Sequence, residues 1–267
     1  SKRIDLSRLA KNHQYPKLIV DIEFYQGLAL LCSPNQVIFQ YDIKANTVQK
    51  FNHFSEKVRS HGTRVITLET DSTYILGDNL YGVLRWNFKN NTVQELKFNC
   101  PHDSDGLLYS AGWLNGYKNK GTWMSAQNSS VGYIHPGDSI IYTIDLNIGM
   151  KIGEGGYFNA LNADINGNVF FSYISKGLYQ LKKRKEKVET IDDVEMIFWG
   201  SSNGLMSENL QSSTSDHSGN IWCAAFNKIS VVNPDNNNIY SFKIHLSENN
   251  SFYYNYLIPL QNRHMLT

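Results

Sequence analysis

A large apolar residue returns at steps of 43 to 52 residues, and four short apolar runs recur within each interval. No 12-residue stretch carries apolar residues at helical spacing. These observations predict an all-β fold, a β-propeller of four-stranded antiparallel blades. Residues 1–267 read as one propeller domain or propeller fragment. About five complete blades and a partial sixth are expected, starting near residues 15, 62, 104, 155, 203 and 251.

The anchors of the repeat are Leu30, Leu76, Trp123, Phe170, Trp222 and Met265, at steps of 46, 47, 47, 52 and 43. Ahead of each lies a first, innermost strand: LIVDIEF (18–24), RVITLE (64–69), LLYSAGW (107–113), YFNALNA (157–163), LQSSTS (210–215) and YYNYLI (253–258). Third strands follow the anchors as VIFQY (37–41), VLRW (83–86), VGYI (131–134), GLYQL (177–181) and ISVV (229–232). Fourth strands close the blades as TVQKF (47–51), TVQELKF (92–98), IIYTI (140–144), KVETI (187–191) and NIYSF (238–242). The links between them are rich in Asn, Asp, Lys and Gly, as tight hairpin turns require. EKVRS (56–60) is the one segment read as a helical turn.

Such a blade cannot bury both faces alone, so neighbouring blades must cover them. A β-sandwich would also give many short strands, but not five evenly spaced copies of one four-strand pattern. The sixth unit stops after its second strand, and KRIDLSRL (2–9) reads as a fourth strand with no blade before it. The first strand either helps close a six-bladed ring or belongs to a longer repeat array, and the missing third strand of the sixth unit favours the array.

Composition limits the function classes. Hydrophobic residues make up 41% and charged residues 18% of the chain, enough apolar surface for a sizeable core. The net charge of +1 argues against nucleic acid or an anionic membrane as the main partner. Aromatics reach 13% and favour strands. No run approaches the length of a membrane helix, and no signal peptide is expected at the start. Cys32, Cys100 and Cys223 are dispersed and odd in number, so neither a zinc knuckle nor a disulfide framework is indicated. The eight His form no HxH or HExxH arrangement, and no metal or other cofactor is expected.

The clearest unit runs from Asn203 to Phe242. It opens with Asn203, Gly204, Leu205, Ser207 and Asn209, continues through Asp216, Gly219 and Trp222, and closes on Asn233 and Pro234. The Asp and Gly suit the turn between first and second strands, where Asp bonds backbone N–H groups and Gly takes positive φ. Asp164, Gly167 and Phe170 repeat that spacing one unit earlier. This stretch, 203–234, resembles the two-component regulator propeller repeat, with Ile229 and Ser230 replacing the family's Gly-Leu. The resemblance is weaker over 155–191 and only periodic elsewhere. Asp and Gly stand three apart, not two as in sialidase propellers, which counts against a glycosidase.

The resemblance implies a ligand-sensing segment in the periplasmic or extracellular part of a membrane-anchored bacterial hybrid histidine kinase. The implied partners are an oligosaccharide and the rest of the sensor ectodomain, with a homodimer also to be weighed and no membrane contact by this segment. The segment itself is expected to be non-enzymatic. Two alternatives stay open: a scaffold for protein–protein contact, and an extracellular carbohydrate-active enzyme.

For catalysis the inner strands offer Asp21, Glu23, Arg64 and Glu69. Asp21 and Glu23 share a strand face, which is suggestive of an acid–base pair, but an isolated pair is a weak signal and catalysis is not expected. For ligand binding, Trp199 falls in the expected inter-blade connection 192–209 and outside every repeat column. It is read as a ligand contact or as a plug between blades. Arg59 and His61 are expected on the same face as Trp199, and Trp113 and Tyr253 fall at inner-strand positions that could face the mouth. The basic run LKKRKEKVE (181–189) is expected on the hairpin between third and fourth strands, as a solvated sheet edge.

Overall fold

The structure is a computed structural model and describes residues 21–25, 27–32, 38–50, 63–78, 82–99, 114–125, 130–146, 158–173, 176–216, 218–243, 258–260 and 264–266. It is all-β and consists of four-stranded antiparallel blades of the β-propeller class. The chain divides into two compact units. One comprises 1–97 and 101–112, the other 98–100 and 113–267.

The first unit holds two blades, each a simple meander. Blade 1 is β1 (Asp21–Tyr25), β2 (Leu28–Cys32), β3 (Ile38–Asp42) and β4 (Thr47–Lys50). Blade 2 is β5 (Thr63–Leu68), β6 (Thr73–Asp78), β7 (Gly82–Asn87) and β8 (Thr92–Glu95). Leu30, Cys32 and Ile38 of blade 1 pack on Ile66, Tyr74, Leu76, Leu84 and Trp86 of blade 2. This contact corrects one anchor. Leu30 faces the following blade, whereas Leu76 faces the preceding one. The fully buried Ile75 holds the opposite face of β6. Side chains alternate along a strand, so a one-residue slip in the repeat reverses the face.

The second unit holds blades 3, 4 and 5. Blade 3 is β10 (Leu114–Tyr117), β11 (Gly121–Ser125), β12 (Ser130–Ile134) and β13 (Ile140–Asp145), with β9 (Lys97–Phe98) added beside β13. Its first strand lies just after the expected 107–113. Residues 92–98, expected as one strand, divide into β8 and β9. Blade 4 is β14 (Phe158–Ala163), β15 (Val169–Tyr173), β16 (Leu178–Lys183) and β17 (Val194–Trp199). Blade 5 is β18 (Ser212–Ser215), β19 (Ile221–Ala225), β20 (Lys228–Asn233) and β21 (Asn238–Lys243). A two-stranded sheet of β22 (Ile258–Leu260) and β23 (His264–Leu266) follows.

Trp123, Tyr133, Phe158, Leu161 and Phe171 fill the space between blades 3 and 4. Phe170, Leu178, Trp199, Ile221, Cys223 and Val232 do the same between blades 4 and 5. The middle strands β11 and β12 are buried on both faces, while the outer strand β21 is largely exposed; burial between neighbouring sheets is the main stabilising term of a layered β fold.

The outer hairpins of blades 1, 2 and 5 share a turn in which a polar residue is followed four positions later by an Asn. The Asp42 carboxylate accepts from the N–H groups of Lys44 and Ala45, and Asn233 Oδ1 from those of Asp235 and Asn236. The turns then pass through left-handed Asn46, Asn91 and Asn237, at φ 54°, 55° and 58°. Asn tolerates that conformation better than other side-chain-bearing residues.

Candidate functional site

Trp199 is not in a connection. It is the last residue of β17, pairs with Leu178 and is 2% exposed. Its ring stacks on Phe170 with centroids 6.3 Å apart and packs among Leu205, Leu210 and Cys223. The plug reading therefore describes it, and a direct ligand contact does not. Arg59, His61, Trp113 and Tyr253 lie outside the described residues, as do 56–60 and Cys100.

The fourth strand of blade 4 is 194–199, not 187–191. Residues 184–193 instead reach back across blade 3 as a clasp. Val188 is fully buried in the core between the two blades. The Tyr133 hydroxyl lies 3.0 Å from the Lys120 carbonyl and 3.1 Å from that of Glu186, and Lys183 Nζ donates to it at 2.9 Å. Lys187 Nζ sits 3.0 Å from Asp138, 2.9 Å from Glu189 and 4.8 Å from the Tyr142 ring centroid. Asp193 accepts from Lys185 Nζ at 2.5 Å and from the N–H groups of Glu189 and Thr190, and these donors pull its carboxyl down to about 2. The run lies between the third and fourth strands as expected, with Lys182, Arg184 and Lys185 exposed, and Lys183, Lys185 and Lys187 also anchor this clasp. The alternation of Lys183, Lys185 and Lys187 with a buried Val188 is the sequence signal that marks it.

On blade 1, Asp21 and Glu23 do share one face, and both bind the next blade. Asp21 Oδ2 accepts the Ile66 N–H at 2.7 Å, and Glu23 accepts from the Leu68 N–H and the Thr67 hydroxyl. Burial raises Asp21 to about 6 and Glu23 to about 7, the latter helped by the Asp21 charge. Cys32 stands opposite Asp21 in the register, and burial with the two carboxylates pushes its thiol well up. A protonated, buried thiol is a poor nucleophile. This cluster can hold a proton near neutrality, and its visible work is to stitch two inner strands together.

Glu69 is 2% exposed and is held in a bidentate contact by one edge of the Arg85 guanidinium, Nε at 2.7 Å and Nη2 at 2.5 Å. The Thr73 hydroxyl donates to the same carboxylate at 2.8 Å. It is a structural ion pair inside one blade, with its carboxylate already engaged.

The Asp–Gly turns fold as the residue types require. Asp216 accepts from the N–H groups of Ser218 and Asn220, from Asn220 Nδ2 and from Trp222 Nε1, while Gly219 takes φ 81°. Burial alone would raise the Asp216 carboxyl, but these donors hold it below its ordinary range. Asp164 and Gly167 make the same turn in blade 4. These carboxylates are spent on the backbone, which explains their spacing without a ligand.

The inner strands of the second unit are polar and uncharged: Asn115, Asn162, Ser212, Ser213, Thr214 and Ser215. Asn115 Oδ1 accepts the Ala163 N–H at 3.0 Å, and the Ser215 hydroxyl donates to the Ala163 carbonyl at 3.3 Å. Of these, Asn162, Ser212 and Thr214 are buried, while Asn115, Ser213 and Ser215 are partly exposed and can exchange hydrogen bonds with a neutral, hydroxyl-bearing molecule. Among the described residues no group of His, Cys, Asp and Glu could hold a metal, and no helix is long and apolar enough to cross a membrane.

No family model and no curated protein matches the chain. The fold is similar to the extracellular domain of BT4673 from B. thetaiotaomicron, described as a hybrid two-component system. Identity is 15%, TM-score 0.54, and the match covers 79% of this chain and 26% of that one. The extracellular domain of BT3049 from the same organism, described in the same way, matches at 12% identity and TM-score 0.55, over 83% and 29%. Regucalcin, a calcium-binding protein of Agrobacterium tumefaciens, matches at 12% identity and TM-score 0.56, over 85% and 74%. The chain thus spans less than a third of the two-component extracellular domains. At these identities the likeness establishes the β-propeller fold and nothing finer.

Proposed function

We propose that the chain is a sensor propeller segment from the extracellular side of a bacterial hybrid two-component regulator. Its proposed ligand is an oligosaccharide, and its output a change in packing among propellers or protomers. The observation that carries this reading is the 203–234 unit. Its Asn-Gly-Leu opening tucks Leu205 and Leu210 into the core, and its Asp216–Gly219–Trp222 turn closes on itself as one intact blade element. The likeness to the extracellular domains of BT4673 and BT3049 supports the same direction. In this reading the segment itself has no catalytic role, and the uncharged polar inner strands suit a neutral, hydroxyl-rich ligand. Arg59, His61, Trp113 and Tyr253 are the proposed contacts, and Trp199 supports the blade beneath.

The test is thermal unfolding of the intact extracellular region against plant, host and yeast oligosaccharides. A ligand that binds only the folded state, at ~100 times its Kd, adds about 2.7 kcal/mol. A saturable shift with one glycan class supports the sensor reading. A flat panel from folded, monodisperse protein moves the assignment to a protein-interaction scaffold.

A further inference from the structure

Buried polar side chains without partners collect on one inter-blade surface. In blade 4, Asn162, Phe170, Gln180 and Ile197 form one cross-strand row, and Ala160, Ser172, Leu178 and Trp199 form the next on the same face. Phe170, Leu178 and Trp199 pack with Ile221, Cys223 and Ala225 of β19, so this face is turned to blade 5. In blade 5, Ser213 stands opposite Cys223 and Ser215 opposite Ile221, which turns both serines toward blade 4. Gln211, two residues before Ser213, falls on that same side by alternation. The bond from Ser215 to the Ala163 carbonyl sets the two inner strands side by side.

Within this seam five side-chain atoms have no hydrogen-bond partner among the described residues. Asn162 Nδ2, Ser172 Oγ and Gln180 Oε1 come from blade 4, Gln211 Oε1 and Ser213 Oγ from blade 5. Asn162, Ser172 and Gln180 are 8%, 0% and 3% exposed. Native folds seldom leave such atoms unpaired, because each forfeits its bonds to solvent and gains nothing in return.

We propose that the seam between blades 4 and 5 is a hydration site, in which ordered water molecules bridge the two blades through these five groups. The set is neutral and mixed: an amide donor, two amide acceptors and two hydroxyls that serve as either. That matches water, which needs two to four polar partners of both kinds. The seam also contains the small side chains Ala160, Cys223 and Ala225 beside these polar groups. Asn162, Ser172 and Gln180 are too enclosed for a sugar to reach. Gln211 and Ser213 are partly exposed at the inner end and give water its route.

A crystal structure of the protein, at a resolution that shows ordered solvent, is expected to show waters bonded between Asn162 or Ser172 and Ser213 or Gln211. A dry seam, with the five groups paired to one another after amide or hydroxyl rotation, overturns the proposal. Stability gives an independent sign. Ser172→Ala and Gln180→Leu are each expected to lower Tm, because each takes a bond from a bound water. A raised or unchanged Tm in both variants means that the atoms were simply unpaired, and also overturns it.

Discussion

The indole Nε1 of Trp123 donates to the carbonyl of Gly167 at 2.8 Å, joining the second strand of blade 3 to the first turn of blade 4. Gly167 sits there at φ 80°, held in the Asp164 turn. A repeated turn is thus also an inter-blade acceptor. Trp123→Phe keeps most of the ring and leaves that carbonyl unpaired in a buried place. The expected loss is about 1–3 kcal/mol in urea unfolding. A variant as stable as the parent would show that the bond contributes nothing.

Trp199→Ala tests packing before it tests binding. The side chain fills the seam beside Phe170 and Leu205, and truncation leaves a cavity lined by apolar groups. A cost of about 3–5 kcal/mol is expected, read from denaturant midpoints. Any ligand response lost with this variant must therefore be judged at a temperature where it is still folded. A small stability change together with a selective loss of binding would return Trp199 to the ligand.

Glu69 and Arg85 form a buried pair with little access to water. Removing one partner strands a charge, so Arg85→Met is expected to cost about 3–5 kcal/mol. The double variant with Glu69→Leu should recover most of that loss, because two apolar groups replace two desolvated charges. Equal destabilisation in single and double variants, measured by calorimetry, would argue that the pair holds the blade by shape alone.

Asp21 and Glu23 give the first unit a pH dependence of defined sign. Their folded values of about 6 and 7 lie above the ordinary carboxylate range near ~4, so the native state binds protons more tightly than the unfolded chain. The resulting stabilisation is complete below the unfolded range and is lost as pH rises through 6 to 7. Asp193, held down at about 2, acts in a separate window at much lower pH. Between pH 5 and pH 8 the parent should therefore lose more Tm than a variant carrying Asp21→Asn and Glu23→Gln. Parallel profiles for the two proteins would remove these carboxylates as the cause.

Most of the blade array was legible in the sequence because its signals are local. Alternating apolar residues such as those of 83–86 and 229–232, and turns such as Asp164–Gly167 and Asp216–Gly219, depend on a few neighbours in the chain. The same locality hid the turn shared by Asp42–Asn46, Asn87–Asn91 and Asn233–Asn237, whose identity shows only when the capping bonds are compared.

What the sequence by itself determined is the class: four strands per unit, their order, and where the Asp–Gly turns fall, since strand period and turn chemistry act over a handful of residues. Tertiary structure decided the rest. It set which face of β6 meets blade 1, moved the last strand of blade 4 from 187–191 to 194–199, turned the basic run into a clasp over Tyr133 and Asp138, and buried Trp199. Each of these turns on which residue a neighbouring sheet covers. That is settled by burial of apolar surface across the blades, between residues about 50 positions apart, and the local pattern does not encode it.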